Sequence, residues 1–187
     1  MYKKLSVLIP VYNECHTIES CLERVLNADV GNLELEVIIS DNNSNDGTKE
    51  ILNKINEQRV KILYRKENNG KGANIKNALK EASGDLILFQ DGDLEYSPND
   101  YLTLLDPFFS YNADVVYGSR LTRAKATAIV GFPNYIGNIL FTFLANFLFN
   151  KIFTDIATGF KVFKKDIIKN LEINSDGFEI EPEITAK

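Results

Sequence analysis

A regular alternation of short apolar runs and longer amphipathic stretches is the feature that most constrains this fold. The apolar runs have the length of buried strands and lie at residues 5–11, 35–40, 60–64, 85–90 and 114–118. The stretches between them have helical periodicity, which predicts helices at 17–26, 45–58, 74–82 and 98–109. Strands that alternate with helices are joined by crossovers, which place the strands in parallel. The pattern predicts an α/β fold with a mostly parallel central sheet and helices on both faces.

Composition narrows the class of protein. A chain of 187 residues with 44% hydrophobic residues is long enough to form one domain with a substantial core. Its net charge of -5 argues against a general nucleic-acid-binding protein. Cys15 and Cys21, with His16 as the only histidine, do not have the spacing of a zinc site. The apolar run near the N-terminus is too short for a signal peptide, so we expect a cytoplasmic protein.

The fourth predicted strand ends in a cluster of acidic residues. Asp91 and Asp93 flank Gly92, and Glu95 follows two residues later. Ligands of open α/β sheets bind beyond the carboxyl ends of the strands, and carboxylate oxygens suit Mg²⁺ or Mn²⁺. The segment therefore predicts either a metal site or a solvated acidic turn.

Polar loops also follow the other early strands. Residues 10–14 follow the first strand and residues 41–48 the second, and either loop alone could be an ordinary strand-to-helix turn. Residues 68–74 place Lys71 between two glycines before a helix, where an ammonium and backbone N–H groups could meet a phosphate. The spacing matches neither a P-loop nor a dinucleotide fingerprint.

Taken together and in order, these loops resemble the motifs of family 2 glycosyltransferases. The resemblance rests on residues 7–14, 41–48, 70–74 and 90–96. Three later segments, 118–120, 154–163 and 177–183, are similar to the branch that includes dolichyl-phosphate mannose synthase and bacterial polyprenyl-phosphate glycosyltransferases. The resemblance implies the Rossmann-like GT-A fold in a single domain over 1–187. The nucleotide-sugar-binding half would occupy about 1–117 and the acceptor-side half about 118–187.

The resemblance also implies roles for individual residues. Catalysis would involve Asp155 and Asp93, and Ser119 with Arg120 would bind the acceptor or its phosphate. A divalent ion, Mg²⁺ or Mn²⁺, would be held by Asp91, Asp93 and Glu95. The nucleotide-sugar donor would contact Pro10, Tyr12, Glu14, Asp41, Asn43, Lys71, Asp91, Gly92 and Asp93. Many relatives have a second acidic residue where this chain has Asn42, which is a departure in the base-binding loop.

The implied reaction is inverting transfer of a sugar from a UDP- or GDP-sugar to a polyprenyl or dolichyl phosphate. A hydroxyl acceptor would need a general base, for which Asp155 is the candidate, whereas a phosphate acceptor is already anionic. Asp155 could instead position the acceptor, cap a helix or form a salt bridge. Two other readings stay open: transfer to a saccharide or protein hydroxyl, and an inactive nucleotide-sugar-binding or interaction domain.

A helix predicted at 134–150 bears on the acceptor. Its polar residues recur every fourth position, so a narrow polar stripe would leave a broad apolar surface. The surface could lie in the core, pair two subunits as a homodimer, or rest on the membrane through 134–153. We do not expect so short an apolar helix to span a membrane. We expect a protein that is cytoplasmic or peripheral on the inner membrane face, and we expect the C-terminus at Lys187 to be truncated or naturally short.

Overall fold

A computed structural model describes residues 2–119 and 132–187, with backbone alone at 132–134. Within these residues one six-stranded sheet has the order β3-β2-β1-β4-β6-β5. Its strands are β1 Lys4–Val11, β2 Glu34–Asp41, β3 Val60–Tyr64, β4 Leu86–Phe89, β5 Val115–Tyr117 and β6 Lys161–Lys164. The helices are α1 Ile18–Leu26, α2 Thr48–Leu52, α3 Lys71–Glu81, α4 Tyr101–Ser110, α5 Phe132–Phe149, α6 Lys165–Asn170 and α7 Ile180–Ala186.

The strand directions confirm the mostly parallel sheet. β1 pairs in parallel with β2 and with β4, and β2 pairs in parallel with β3. β6 lies antiparallel between β4 and β5. The sequence did not predict β6 or the short helix α6 that follows it.

Helices cover both faces of the sheet, as the sequence predicted. Along β1, Leu5, Val7 and Ile9 belong to one core cluster, which also includes buried residues of α1, α2 and α4. Leu8 belongs to the opposite cluster, with buried residues of α3, α6 and α7. Alternate strand residues point to opposite faces, so a continuous apolar run fits a strand that is covered on both sides.

Two predicted helices differ from those in the structure. The helix predicted to reach residue 58 ends at Leu52, and the chain then tightens into turns in which Lys54 and Ile55 donate to carbonyls three residues back. α3 begins at Lys71, three residues earlier than predicted. Its first backbone N–H groups donate to carbonyls of residues 176 and 177, which are distant in the sequence. Such long-range partners satisfy the donors that a helix start leaves unpaired.

Candidate active site

The polar loops meet at one edge of the sheet. In register, the end of β1 at Val11 lies beside Asp41 of β2, which lies beside Tyr64 of β3. β4 runs parallel to β1 and ends at Phe89, directly before the acidic turn 90–95. The carboxyl ends of four parallel strands therefore open onto the same surface, the position at which α/β sheets bind ligands.

Side chains of the second loop hold the backbone of the first loop. The N–H of Asn13 donates to the Ser44 hydroxyl at 2.8 Å, and the N–H of Glu14 donates to the Thr48 hydroxyl at 2.9 Å. Asn45 returns a bond from its N–H to the side chain of Asn13 at 2.9 Å. These reciprocal bonds join the two loops on one side of the site.

Asp41 shapes the second loop. It is completely buried, and both carboxylate oxygens accept from the N–H of Ser44, at 3.3 and 3.2 Å. Asn43 has a φ of 65° and accepts from the Lys49 ammonium at 2.6 Å. A nucleotide base could reach the Asp41 carboxylate only after a local movement, so its contact with the base stays a prediction.

Pro10, Tyr12 and Glu14 line the same edge. Pro10 is half-buried in β1, and Tyr12 is 44% exposed just beyond the strand. The Glu14 carboxylate accepts from the Thr17 hydroxyl at 2.6 Å, and its Cγ would lie 3.6 Å from a Cβ built on Gly92. The first loop therefore lies next to the acidic turn.

The acidic turn presents its two aspartates differently. Asp93 is exposed and accepts from the N–H of Glu95 at 3.0 Å, and Glu95 is also exposed. The Asp91 side chain is only 20% exposed. The buried Cys21 thiol lies against the carbonyl of Asp91, and burial, followed by the charges of Asp93 and Asp91, raises its pKa to about 12. The carboxylates of Asp91 and Asp93 therefore both lie close enough to act on this buried thiol.

Leu94 has an unusual backbone conformation. Its φ of 65° lies in the left-handed region, which bulky side chains seldom adopt. Strain of this kind persists only where the surrounding structure holds it, and it concentrates at functional sites.

Lys71 contacts Asp91 rather than lying open to solvent. Its ammonium is 2.7 Å from Asp91 Oδ1 and 3.1 Å from Glu181 Oε1, and its side chain is 15% exposed. Burial works against its charge, yet the two carboxylates raise its pKa above the ordinary value. Gly72 and Ala73 donate their N–H groups to chain 176–177. These N–H groups are therefore already bonded within the protein, and contact of Lys71 with a phosphate stays a prediction.

Several residues without a predicted role support the acidic turn. Gln90 is buried, accepts from the Tyr101 hydroxyl at 3.0 Å and donates to the Asp91 carbonyl at 2.9 Å. The Tyr96 hydroxyl accepts from the N–H of Gly159 at 2.8 Å. A Cβ on Gly159 would lie far inside van der Waals distance of Asp91 Oδ2, so a larger residue there would have to displace the Asp91 carboxylate. The glycine and the aromatic residues are visible in the sequence, but the bonds that place them around the acidic turn are not.

Asp155 is held by the polar stripe of α5. It is 2% exposed and accepts from the Asn138 amide at 2.8 Å. One turn further along the stripe, Thr142 accepts from the N–H of Ile156, and Asn146 bonds both polar groups of the Phe153 backbone. The stripe therefore fixes the loop that contains Asp155. A mainly apolar cavity of about 620 Å³ lies beside Asp155, and its lining includes Val116, Phe163 and Ile184.

The opposite side of α5 is exposed. The most exposed of its apolar side chains are Leu140, Phe141, Phe143, Phe147 and Leu148, at 62 to 77%. In the part of the chain that the structure describes, this surface therefore lies outside the core. None of the helices that the structure describes has the length and hydropathy to cross a membrane. Ser119 is half-buried after β5, whereas Arg120 lies outside the described residues.

The described residues contain no group of three His, Cys, Asp or Glu side chains arranged to hold a metal ion. Magnesium commonly binds through one or two carboxylates together with substrate phosphates. Asp91 and Asp93 match that smaller donor set.

A family model described as glycosyl transferase family 2 matches residues 6–172. The chain is 30% identical to a dolichol-phosphate mannosyltransferase of Pyrococcus furiosus, over 98% of this chain and 53% of that protein. It is 25% identical to a UDP-N-acetylglucosamine–dolichyl-phosphate N-acetylglucosaminyltransferase of Methanococcus voltae, over 90% of this chain and 72% of that one. The chain thus spans about half the length of the Pyrococcus protein. These relatives confirm the predicted branch.

The fold matches solved structures as well. Glucosyl-3-phosphoglycerate synthase of Mycobacterium tuberculosis, in complex with UDP, superposes with a TM-score of 0.70 at 21% identity. The match covers 96% of this chain and 62% of that chain. The same enzyme in complex with Mn²⁺, UDP and glucosyl-3-phosphoglycerate gives a TM-score of 0.65. The predicted GT-A fold is confirmed.

Proposed function

The chain belongs to glycosyl transferase family 2, and we propose that it moves a sugar, with inversion, from a UDP- or GDP-sugar to a polyprenyl or dolichyl phosphate. The observation that supports this most is the convergence of the loops after β1, β2 and β4 around the Asp91–Asp93 turn. Residues 1–117 would bind the donor and residues 118–187 the acceptor. The two relatives that act on dolichol or dolichyl phosphate, by their names, support the choice of acceptor.

A divalent cation, Mg²⁺ or Mn²⁺, would be held by Asp91 and Asp93 together with the phosphates of the donor. When bound, such an ion neutralises the charge that develops on the departing nucleoside diphosphate. The solved neighbour with Mn²⁺ and UDP supports this choice of cofactor. Pro10, Tyr12 and the Asp41 loop would hold the nucleoside part of the donor.

On the acceptor side, Ser119 and Arg120 would bind the phosphate, a role that suits the planar guanidinium. Asp155 would face the attacking oxygen. With a phosphate acceptor it would position the nucleophile; with a hydroxyl acceptor it would take the proton. The bond from Asn138 fixes the orientation of its carboxylate.

A lipid acceptor requires access to the membrane, and the exposed apolar side of α5 could provide it. Large exposed apolar patches mark interaction sites, and a helix with an apolar face can lie in the membrane surface. We propose that α5, within 134–153, makes this peripheral contact at the cytoplasmic face. The alternative to membrane contact is that the same surface pairs two subunits as a homodimer.

Transfer to a saccharide or protein hydroxyl is the second candidate function. Burial of Asp155 beside a cavity favours it, because a buried carboxylate is a suitable general base. Offering short-chain polyprenyl phosphates and oligosaccharides to the same preparation, and identifying the product by mass spectrometry, separates the two.

Donor binding is tested by thermal shift with UDP- and GDP-sugars, with and without Mn²⁺. At a hundredfold excess over Kd, a bound donor should stabilise the fold by about 2.7 kcal/mol. We expect a metal-dependent shift for one nucleotide class, lost in Asp93→Ala and kept in Asp166→Ala, which removes an exposed aspartate on α6. No shift with any donor would contradict the proposal and favour an interaction domain.

Membrane contact is tested by flotation with liposomes that contain acidic lipids. Phe147 on α5 and Phe178 outside it are each 77% exposed, so they form a matched pair. We expect Phe147→Ser to reduce flotation and Phe178→Ser to leave it unchanged. A wild-type protein that stays at the bottom of the gradient would refute the contact.

A further inference from the structure

A row of four alternating charges runs from the acidic turn into the core. Asp91 Oδ1 lies 2.7 Å from the Lys71 ammonium, which lies 3.1 Å from Glu181 Oε1. The other oxygen of Glu181 accepts from the Lys161 ammonium. The row thus joins the loop after β4, α3, α7 and β6.

The inner half of this row is fully enclosed. Lys161 is 0% exposed and Glu181 is 6% exposed. Lys161 also donates to the Thr158 carbonyl and lies 4.9 Å from the centre of the Tyr117 ring. Buried ions are tolerated only when they are paired, and removing one partner leaves an uncompensated charge.

Glu181 contacts both lysines, so it affects how strongly Lys71 binds Asp91. With Glu181 ionised, the Lys71 ammonium divides its attraction between two carboxylates. Without that charge, Lys71 would have Asp91 as its remaining carboxylate contact in this row. A cation that needs Asp91 would then meet a stronger competitor.

We propose that Glu181 is a positioning residue of the donor site, which restrains Lys71 and so keeps the Asp91 carboxylate accessible to the donor's divalent cation. The proposal rests on the proposed function, because it requires that Asp91 binds such a cation. It assigns to α7, distant from Asp91 in sequence, a role in metal affinity.

The test measures Mn²⁺ binding directly, from the electron paramagnetic resonance signal of free Mn²⁺ at saturating UDP. Glu181→Gln keeps the shape of the side chain and removes its charge. We expect it to weaken Mn²⁺ binding by about 10- to 100-fold, the usual effect of losing a group that orients a metal ligand. Glu183→Gln, the same change in the same helix, should leave Mn²⁺ affinity unchanged, since Glu183 bonds residues 174, 175 and 187 instead.

A double-mutant cycle separates positioning from general damage to the structure. In the Lys71→Met background, Glu181→Gln should cause no further loss of Mn²⁺ affinity, because the lysine through which it acts is absent. An equal loss in both backgrounds would overturn the proposal. Glu181→Asp, which keeps the charge, provides a second variant should Glu181→Gln fail to fold, and its Mn²⁺ affinity should exceed that of Glu181→Ala.

The outcomes distinguish the two claims. If the wild-type protein does not bind Mn²⁺ with UDP, the proposed function fails. If the wild-type protein binds Mn²⁺ and folded Glu181→Gln binds it equally well, the role of Glu181 is refuted and the proposed function stands.

Discussion

Replacing Tyr96 by phenylalanine removes one hydroxyl group from the support of the acidic turn. Tyr96 is 6% exposed, and its hydroxyl accepts from the N–H of Gly159 at 2.8 Å. The ring would keep its stack on Phe160, whose centroid lies 4.8 Å away. The variant therefore loses little packing but leaves a buried N–H without this acceptor, a loss that costs about 1–3 kcal/mol.

That cost should be measurable as a lower melting temperature. For a chain of this length each kcal/mol lowers Tm by about 2–4 °C, so Tyr96→Phe should melt about 2–12 °C below the wild type. The control is Tyr64→Phe, which removes the hydroxyl bond from the 45% exposed Tyr64 to Asn53 and should change stability by less than about 0.5 kcal/mol. Equal melting temperatures for the two variants would refute this prediction.

Two further predictions concern the acidic turn and the response to acid. Gly159→Ala should weaken Mn²⁺ binding, because the new Cβ would displace the Asp91 carboxylate. In the control Gly137→Ala the new Cβ meets no atom within 4 Å, so Mn²⁺ binding should not change. Equal Mn²⁺ titrations of the two variants would contradict this prediction. Burial works against the ionised form of Glu36, but hydrogen bonds, the largest from Ser6, prevail and lower its pKa. Its stabilising effect is present above the unfolded pKa of about 4.3 and is lost as pH falls through the lower folded value. Glu36→Gln should therefore show a shallower loss of Tm below about pH 4 than the wild type, and parallel curves would refute the assignment.

The sheet could be predicted where local sequence decides the structure. β1 to β4 are mainly apolar runs that end in polar loops, a signal that needs no knowledge of distant contacts. β6 was missed because its four residues begin and end with lysine, and Lys161 is buried in an ion pair with Glu181. The burial of a charged side chain cannot be predicted from the local sequence, because it depends on a partner that is distant in the sequence.

The candidate residues of the site could be predicted from the sequence, but most of the contacts between them could not. The Asp91–Asp93 turn follows from its place after β4, but the ion pair from Lys71 to Asp91 joins segments twenty residues apart. The polar stripe of α5 was visible as a period of four, yet its bonds to residues 153–156 depend on how the next loop folds back. The exposure of the apolar side of α5 also depends on tertiary packing, which the period of the sequence pattern does not reveal.

A crystal structure with UDP and Mn²⁺, recorded at a wavelength where manganese scatters anomalously, tests the central claim most directly. We expect an anomalous peak in coordination contact with Asp91 or Asp93 and the diphosphate, with the nucleoside beside the Asp41 loop. UDP and Mn²⁺ bound elsewhere, or a peak distant from both aspartates, would contradict it.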